Sequence, residues 1–156
     1  MINLIQEYLH KREFKPVKHG QSEQKLVVID FPEGWFYKKS KITYNFCAFN
    51  KLQGVLQISV YVNNLKNFDG FDPREELIEI KKTHITATIV NYENHQAIHY
   101  ALNRVGTKLI EYHWISGNAR TKVFITYIHS IDLSEKEKDL EYYEAVRVIE
   151  GIRILS

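Results

Sequence analysis

Two strand-like runs near the end of the chain are apolar at odd and even positions alike. Residues 109–115 read Leu-Ile-Glu-Tyr-His-Trp-Ile, and residues 123–128 read Val-Phe-Ile-Thr-Tyr-Ile. A strand with one face in water alternates apolar and polar side chains, so both of these strands are expected to be covered on two faces. Since helices usually provide such cover, the pattern predicts an α+β fold in which an antiparallel sheet lies between helices, an α/β/α sandwich.

Other segments supply the remaining strands of this sheet. Alternating or wholly apolar runs predict strands over 26–31, 41–50, 54–62, 85–92, 96–102, 107–116 and 120–129. Glu93-Asn94 and Gly117-Asn118 lie between such runs and predict tight hairpins, the second of type II′. The 156 residues are expected to form one domain, 1–156, with a sheet of about six to seven strands.

Two helices have clear starting signals. Asp72 precedes Pro73, which combines a good N-cap with the residue preferred at the first helical position. Ser134 and Glu137 match a capping box. The helix after Ser134 carries an apolar stripe that we predict to pack on the sheet, through Tyr142, Val146, Ile149 and Ile152.

The N-terminal segment predicts a further helix. Ile2, Ile5 and Leu9 recur at helical spacing. We therefore expect a helix within residues 1–14, ahead of a sandwich that occupies residues 24–156.

Composition and motifs argue against several functions. Cys47 is the only cysteine, so neither an intrachain disulfide nor a thiolate metal cluster is expected. The net charge of +2 gives no support for nucleic-acid binding, and no apolar run approaches the roughly 20 residues of a membrane span. We find no phosphate-binding loop, nucleophile elbow or dinucleotide fingerprint. The sequence predicts a cytoplasmic protein without a cofactor that is not an enzyme.

Four segments together resemble the PsbP-like fold, named after an extrinsic subunit of photosystem II. They are the turn Phe31-Pro32-Glu33-Gly34-Trp35, the strand 54–62 that leads to the Asp72-Pro73 helix, the strand 96–102, and the ending 147–156. The resemblance implies a sheet flanked by helices and a protein that binds another macromolecule. Related folds include small cytoplasmic bacterial proteins, some suspected of immunity to toxins, and the group shares no catalytic residues.

The leading functional hypothesis is a noncatalytic protein-binding domain of immunity or adaptor type. Ten tyrosines favour it, because a tyrosine ring is apolar while its tip is polar. The candidate contact residues are aromatic residues in turns and loops, namely Trp35, Phe36, Tyr37, Phe68 and Phe71.

The alternative hypothesis is a small-ligand site or weak enzyme built on His99, Glu111 and His113. A loop over 104–106 sets His99 opposite Glu111 and puts all three side chains on one face, where a carboxylate can orient an imidazole. A loop of Val105-Gly106 alone moves the pairing by one residue and puts His99 beside Tyr112. A hydrogen-bonded sheet histidine without function is compatible with both registers.

Overall fold

The computed structural model describes residues 9–14, 27–32, 35–39, 43–48, 54–62, 70–104, 106–130 and 135–155. In these ranges the strands are β1 (Leu9–Phe14), β2 (Val27–Pro32), β3 (Trp35–Lys39), β4 (Thr43–Ala48), β5 (Gly54–Val62), β6 (Thr88–Asn91), β7 (Gln96–Asn103), β8 (Leu109–Gly117), β9 (Thr121–Ser130) and β10 (Arg153–Ile154). The helices are α1 (Pro73–Lys81) and α2 (Glu135–Glu150).

The strands form two sheets. A seven-stranded sheet has the order β3-β4-β5-β9-β8-β7-β6, and a three-stranded sheet has the order β1-β2-β10. All neighbouring pairs are antiparallel. This arrangement, with helices on the sheet, confirms the predicted α+β class.

The face of the seven-stranded sheet that packs against α2, here called the inner face, contains the main core. Trp114 and Ile125 pair across β8 and β9 on this face and are 1% exposed. From α2 and the residues that follow it, Ile149 and Ile152 pack into the same cluster and are fully buried. Tyr142 and Val146 pack against that cluster while partly exposed. The predicted packing of the last helix is thus confirmed.

Gly54 allows a polar contact to form inside this core. The Tyr127 hydroxyl donates to Oε1 of the buried Glu141 over 2.8 Å. A Cβ atom at position 54 would lie 2.5 Å from that hydroxyl, which is far inside van der Waals contact. Glycine at the start of β5 therefore leaves the space in which β9 and α2 are joined by a hydrogen bond.

Helix α1 lies on the opposite, outer face of the sheet. It contacts β6 and β7, and Glu76 forms an ion pair with Lys122, an outer-face residue of β9. Its start is as predicted, since the Asp72 carboxylate accepts from the backbone amides of Arg74 and Glu75 over 2.9 and 3.4 Å. No residue of α1 is fully buried, so this helix covers its part of the sheet lightly.

Three predictions about the first third of the chain are wrong. The strand predicted at 26–31 was expected in the main sheet, but β2 pairs with β1 and β10 in the three-stranded sheet. Residues 9–14 form strand β1, where a helix was expected, because their backbone pairs along its whole length with β2 and such tertiary pairing overrides a weak local helix preference. The aromatic run at 35–37, expected in a turn, lies in strand β3 at an edge of the seven-stranded sheet. The predicted cap Ser134 and residues 1–8 lie outside the described residues.

Candidate functional site

The register between β7 and β8 separates the three residues of the predicted polar cluster. His99 pairs with Trp114, and Tyr100 pairs with His113. His99 therefore lies on the inner face, while Glu111 and His113 lie on the outer face. Both registers considered from the sequence are wrong, because the connection between β7 and β8 spans five residues, 104–108. The observed pairing differs by three residues from the register of the 104–106 loop, and an odd shift moves a side chain to the other face. It differs by two residues from the register of the Val105-Gly106 loop, which had already put His99 on the face of Tyr112, away from Glu111 and His113.

His99 is held by the inner side of the sheet. Its Nδ1–H donates to the carbonyl oxygen of His113 over 2.9 Å, and its ring stacks on Trp114 with centroids 4.4 Å apart. Burial lowers the pKa of His99. These contacts are those of a structural sheet histidine.

Glu111 and His113 remain together and form the centre of a hydrogen-bonded chain on the outer face. His113 Nε2 lies 3.1 Å from Glu111 Oε2, and its Nδ1 lies 3.2 Å from the Thr126 hydroxyl on β9. Since a carboxylate only accepts, the neutral imidazole carries its proton on Nε2 and accepts from Thr126. Arg104 Nε contacts the second oxygen of Glu111 over 3.1 Å.

Two opposing influences act on the protonation of His113. Burial lowers its pKa, and the nearby His84 and Arg104 lower it further, while the hydrogen bond and charge of Glu111 raise it. Burial is the largest of these causes, so the net direction is downward. At neutral pH the imidazole is therefore neutral, with Nε2 donating to Glu111 and Nδ1 accepting from Thr126.

An aromatic stack lies beside this chain. The ring of Tyr100 is sandwiched between His113, at 4.9 Å and 5°, and His84, at 4.4 Å and 12°. His84 follows α1, so the stack joins that helix to the sheet. Sequence reasoning missed four residues of this cluster, namely His84, Tyr100, Arg104 and Thr126, because their proximity follows only from the strand register.

In this arrangement the imidazole of His113 can accept a proton from a hydroxyl, and the Glu111 carboxylate orients the ring and stabilises the imidazolium that forms. Both imidazole nitrogens are already engaged, so metal binding through His113 requires loss of one of these contacts. Within the described ranges no group of three or more His, Cys, Asp and Glu side chains is placed to hold a metal ion.

A replacement at Glu111 tests this electrostatic description. Glu111→Gln is expected to lower the pKa of His113 further, because it removes the carboxylate charge that stabilises the imidazolium. NMR titration of the imidazole signals measures the change. His99 is the control in the same titration, since Glu111 is not among the causes of its pKa shift. An unchanged or raised pKa of His113 would contradict the assignment.

An aromatic pair lies on the outer face away from this cluster. The rings of Tyr61 on β5 and Phe124 on β9 meet edge to face, with centroids 5.4 Å apart and an interplanar angle of 87°. Tyr61 is 39% exposed and Phe124 is 38% exposed. By contrast, Ile98 and Ile115 on the same face are buried near α1. Two-sided cover was predicted for β8 and β9, and it holds at β8 but only partly at β9, where Phe124 is exposed.

The aromatic residues that were predicted to contact a partner lie in separate parts of the fold where the structure describes them. Trp35, Phe36 and Tyr37 lie in strand β3, and Phe68 lies outside the described residues. Phe71 is half-buried at the β8–β9 hairpin, where its amide donates to the Asn118 carbonyl over 2.8 Å. That hairpin turns through residues 118–120 and is one residue longer than predicted.

Comparison with known proteins identifies the class of fold. No family model matches the chain, and no curated protein matches it. A crystal structure of a protein from Bacteroides thetaiotaomicron VPI-5482 superposes with a TM-score of 0.62 at 16% identity, over 84% of this chain and 46% of that one. The chain therefore spans a little under half of the Bacteroides protein.

The solution structure of cyanobacterial PsbP, CyanoP, from Synechocystis sp. PCC 6803 is also similar. It superposes with a TM-score of 0.61 at 10% identity, over 95% of this chain and 93% of that one. The chain has a PsbP-like fold, as the sequence resemblance implied. At such low identity the similarity shows the fold alone. In the described part of the chain, no helix is long and apolar enough to cross a membrane.

Proposed function

We propose that this chain is a noncatalytic protein-binding domain and that Tyr61 and Phe124 form part of its contact surface. The observation that supports the proposal is the exposed edge-to-face pair on the outer face. Aromatic side chains are concentrated among the residues that dominate binding energy at protein interfaces. Two rings fixed on neighbouring strands also lose little conformational freedom on binding.

An immunity-type or adaptor role is the finer form of this proposal. It is supported by the resemblance to folds whose members bind other macromolecules. In this proposal the partner is a protein. We expect the contact to use the part of the outer face next to α1, because that helix covers β6 and β7 and leaves the aromatic pair exposed.

The double variant Tyr61→Ala, Phe124→Ala is expected to lose the partner. A photo-crosslinkable residue at position 59, which lies on β5 directly opposite Phe124, captures the partner in the source cell. The purified partner is then titrated by calorimetry. Loss of both rings is expected to weaken binding by at least tenfold, about 1.4 kcal/mol. Circular dichroism confirms that the variant is folded.

Tyr143→Ala is the matched control. Tyr143 is a tyrosine of equal exposure, 40%, but it lies on α2 and not on the outer face. Its replacement should leave the affinity unchanged. Equal loss in both variants, or none in either, would remove the support for this surface.

A small-ligand site or weak enzyme is the second candidate function. It is supported by the chain of contacts that joins Thr126, His113 and Glu111. Its test is NMR observation of the His113 imidazole during titration with phosphate, acetate and simple esters. A saturable shift that Thr126→Val abolishes supports this function, and the absence of any shift counts against it.

A further inference from the structure

The two edges of the seven-stranded sheet are protected to different degrees. An edge strand exposes unpaired backbone groups, and lysine or proline commonly prevents such a strand from pairing with another chain. β3, at one edge, ends in Lys38-Lys39. β6, at the other edge, reads Thr-Ile-Val-Asn and has neither a charge nor a proline. In the described part of the chain, β6 is therefore the edge without these protective residues.

The hydrogen bonds of the adjoining hairpin define which backbone groups of β6 point outward. The amide of Tyr92 donates to the carbonyl of His95 over 2.9 Å, which makes these two residues a hydrogen-bonded pair. Such pairs alternate along an antiparallel ladder, so Thr88 and Val90 direct their amides and carbonyls to β7. The amides and carbonyls of Ile89 and Asn91 consequently point away from the sheet.

One exposed apolar side chain precedes this edge strand in the sequence, and another lies on the helix that contacts it. Ile85 precedes β6 by three residues and is 84% exposed, and Ile78 on α1, which contacts β6, is 66% exposed. They are the two most exposed large hydrophobic residues of the described chain. The neighbouring Ala87 is 1% exposed, so the segment that carries Ile85 is anchored and the exposure of Ile85 is not that of a detached loop.

We propose that the outer edge of β6 binds an extended segment of a partner protein as an additional strand of the sheet. The edge offers donors and acceptors at two-residue spacing, which matches an extended peptide backbone. The isoleucines add an apolar contact for side chains of the same segment. This edge is separate from the Tyr61–Phe124 pair, so the inference goes beyond the proposed function and does not depend on that pair.

A flexible segment fits the edge better than a second copy of this chain. β6 has four residues, and pairing of two such strands buries far less than the roughly 1,200 Å² of a stable interface between folded proteins. An extended segment can in addition follow the surface to Ile85. A nucleic acid or a lipid has no backbone amides to pair with Ile89 and Asn91.

The experiment uses random twelve-residue peptides displayed on phage, selected against the full chain. Ile89→Pro removes the outward amide without removing a ladder bond, and Ile89→Ala is the matched control that loses the same side chain but keeps the amide. Selected peptides are expected to bind Ile89→Pro at least tenfold more weakly than Ile89→Ala. In the wild-type complex, hydrogen exchange at the amides of Ile89 and Asn91 is expected to slow.

A second variant keeps the test decisive if the proline variant does not fold. Thr88→Lys with Asn91→Lys, at two exposed positions, gives β6 the lysines that β3 has and is expected to abolish peptide binding. Equal peptide affinity in all variants, unchanged exchange at Ile89 and Asn91, or a selection that yields no binder would overturn the proposal. If hydrogen exchange at these two amides slowed with increasing protein concentration in the absence of peptide, the edge would bind a second copy of the chain. That result would also overturn the proposal.

Discussion

Replacement of Ile149 with alanine is expected to lower the free energy of unfolding by about 2–5 kcal/mol. Ile149 is fully buried in the cluster that joins α2 to the inner face, so the truncated side chain leaves a cavity that the packed sheet cannot close. Denaturant unfolding followed by circular dichroism measures the effect. A loss of this size is a large part of the 5–15 kcal/mol that typically stabilises a domain.

Ile78→Ala provides the matched control for this prediction. Ile78 is the same residue type, also within a helix, but is 66% exposed on α1. Its replacement is expected to change the free energy of unfolding by no more than about 0.5 kcal/mol. If the two variants were equally stable, α2 would not contribute the packing described here.

Acidification from pH 7 to pH 5 is expected to destabilise the protein. Burial lowers the pKa of His95, His99 and His113 below the ordinary value of 6.5. At a pH between the folded and the unfolded pKa of such a histidine, the unfolded chain binds the proton and the folded chain does not. The contribution of these histidines to the free energy of unfolding is therefore fully present above pH 6.5 and is lost as the pH falls toward their folded pKa values. Each histidine contributes a slope of at most about 1.4 kcal/mol per pH unit.

Urea unfolding at pH 7.0, 6.0 and 5.0 measures this loss. These pH values lie above the pKa values of most carboxylates, so protonation of carboxylates contributes little to the change. His99→Gln removes one of the three groups and is expected to give a shallower dependence on pH, whatever its stability at pH 7. A free energy of unfolding that stays constant or rises between pH 7 and pH 5 would show that the imidazoles are not held neutral by burial.

Local signals in the sequence determined much of the secondary structure. The bounds of β5 were predicted to the residue, because the run that begins at Gly54 puts Leu56, Ile58, Val60 and Val62 on one face. The start of α1 was also predicted, since Asp72 and Pro73 act on the backbone directly beside them. The hairpin at 93–94 lies where its turn residues indicated, whereas the second hairpin turns through 118–120 and Gly117 still belongs to β8. Each of these features depends on interactions over a few residues.

Strands that depend on a distant partner were the ones missed. β1 has apolar residues only at its ends, Leu9 and Phe14, and it is a strand because its backbone pairs with that of β2. β3 follows the sequence Pro32-Glu33-Gly34, which predicts a turn, and its aromatic run was assigned to that turn because nothing in the local sequence indicates the pairing with β4. The aromatic pair of Tyr61 and Phe124 was missed for the same reason, because the two residues are brought together only by the pairing of β5 with β9.

The candidate cluster shows most clearly what only the tertiary structure decided. Apolar residues at both parities of β8 and β9 predicted a sheet with cover on two sides, which the structure provides at β8 and only in part at β9. That same property removed the signal that specifies register, because a strand with two apolar faces tolerates either face inward. Pairing of His99 with Trp114 then placed His99 on the inner face and left His113 with Glu111 on the outer face, next to Thr126. The sequence showed that these polar residues lie on neighbouring strands, but only the strand pairing decided which of them are in contact.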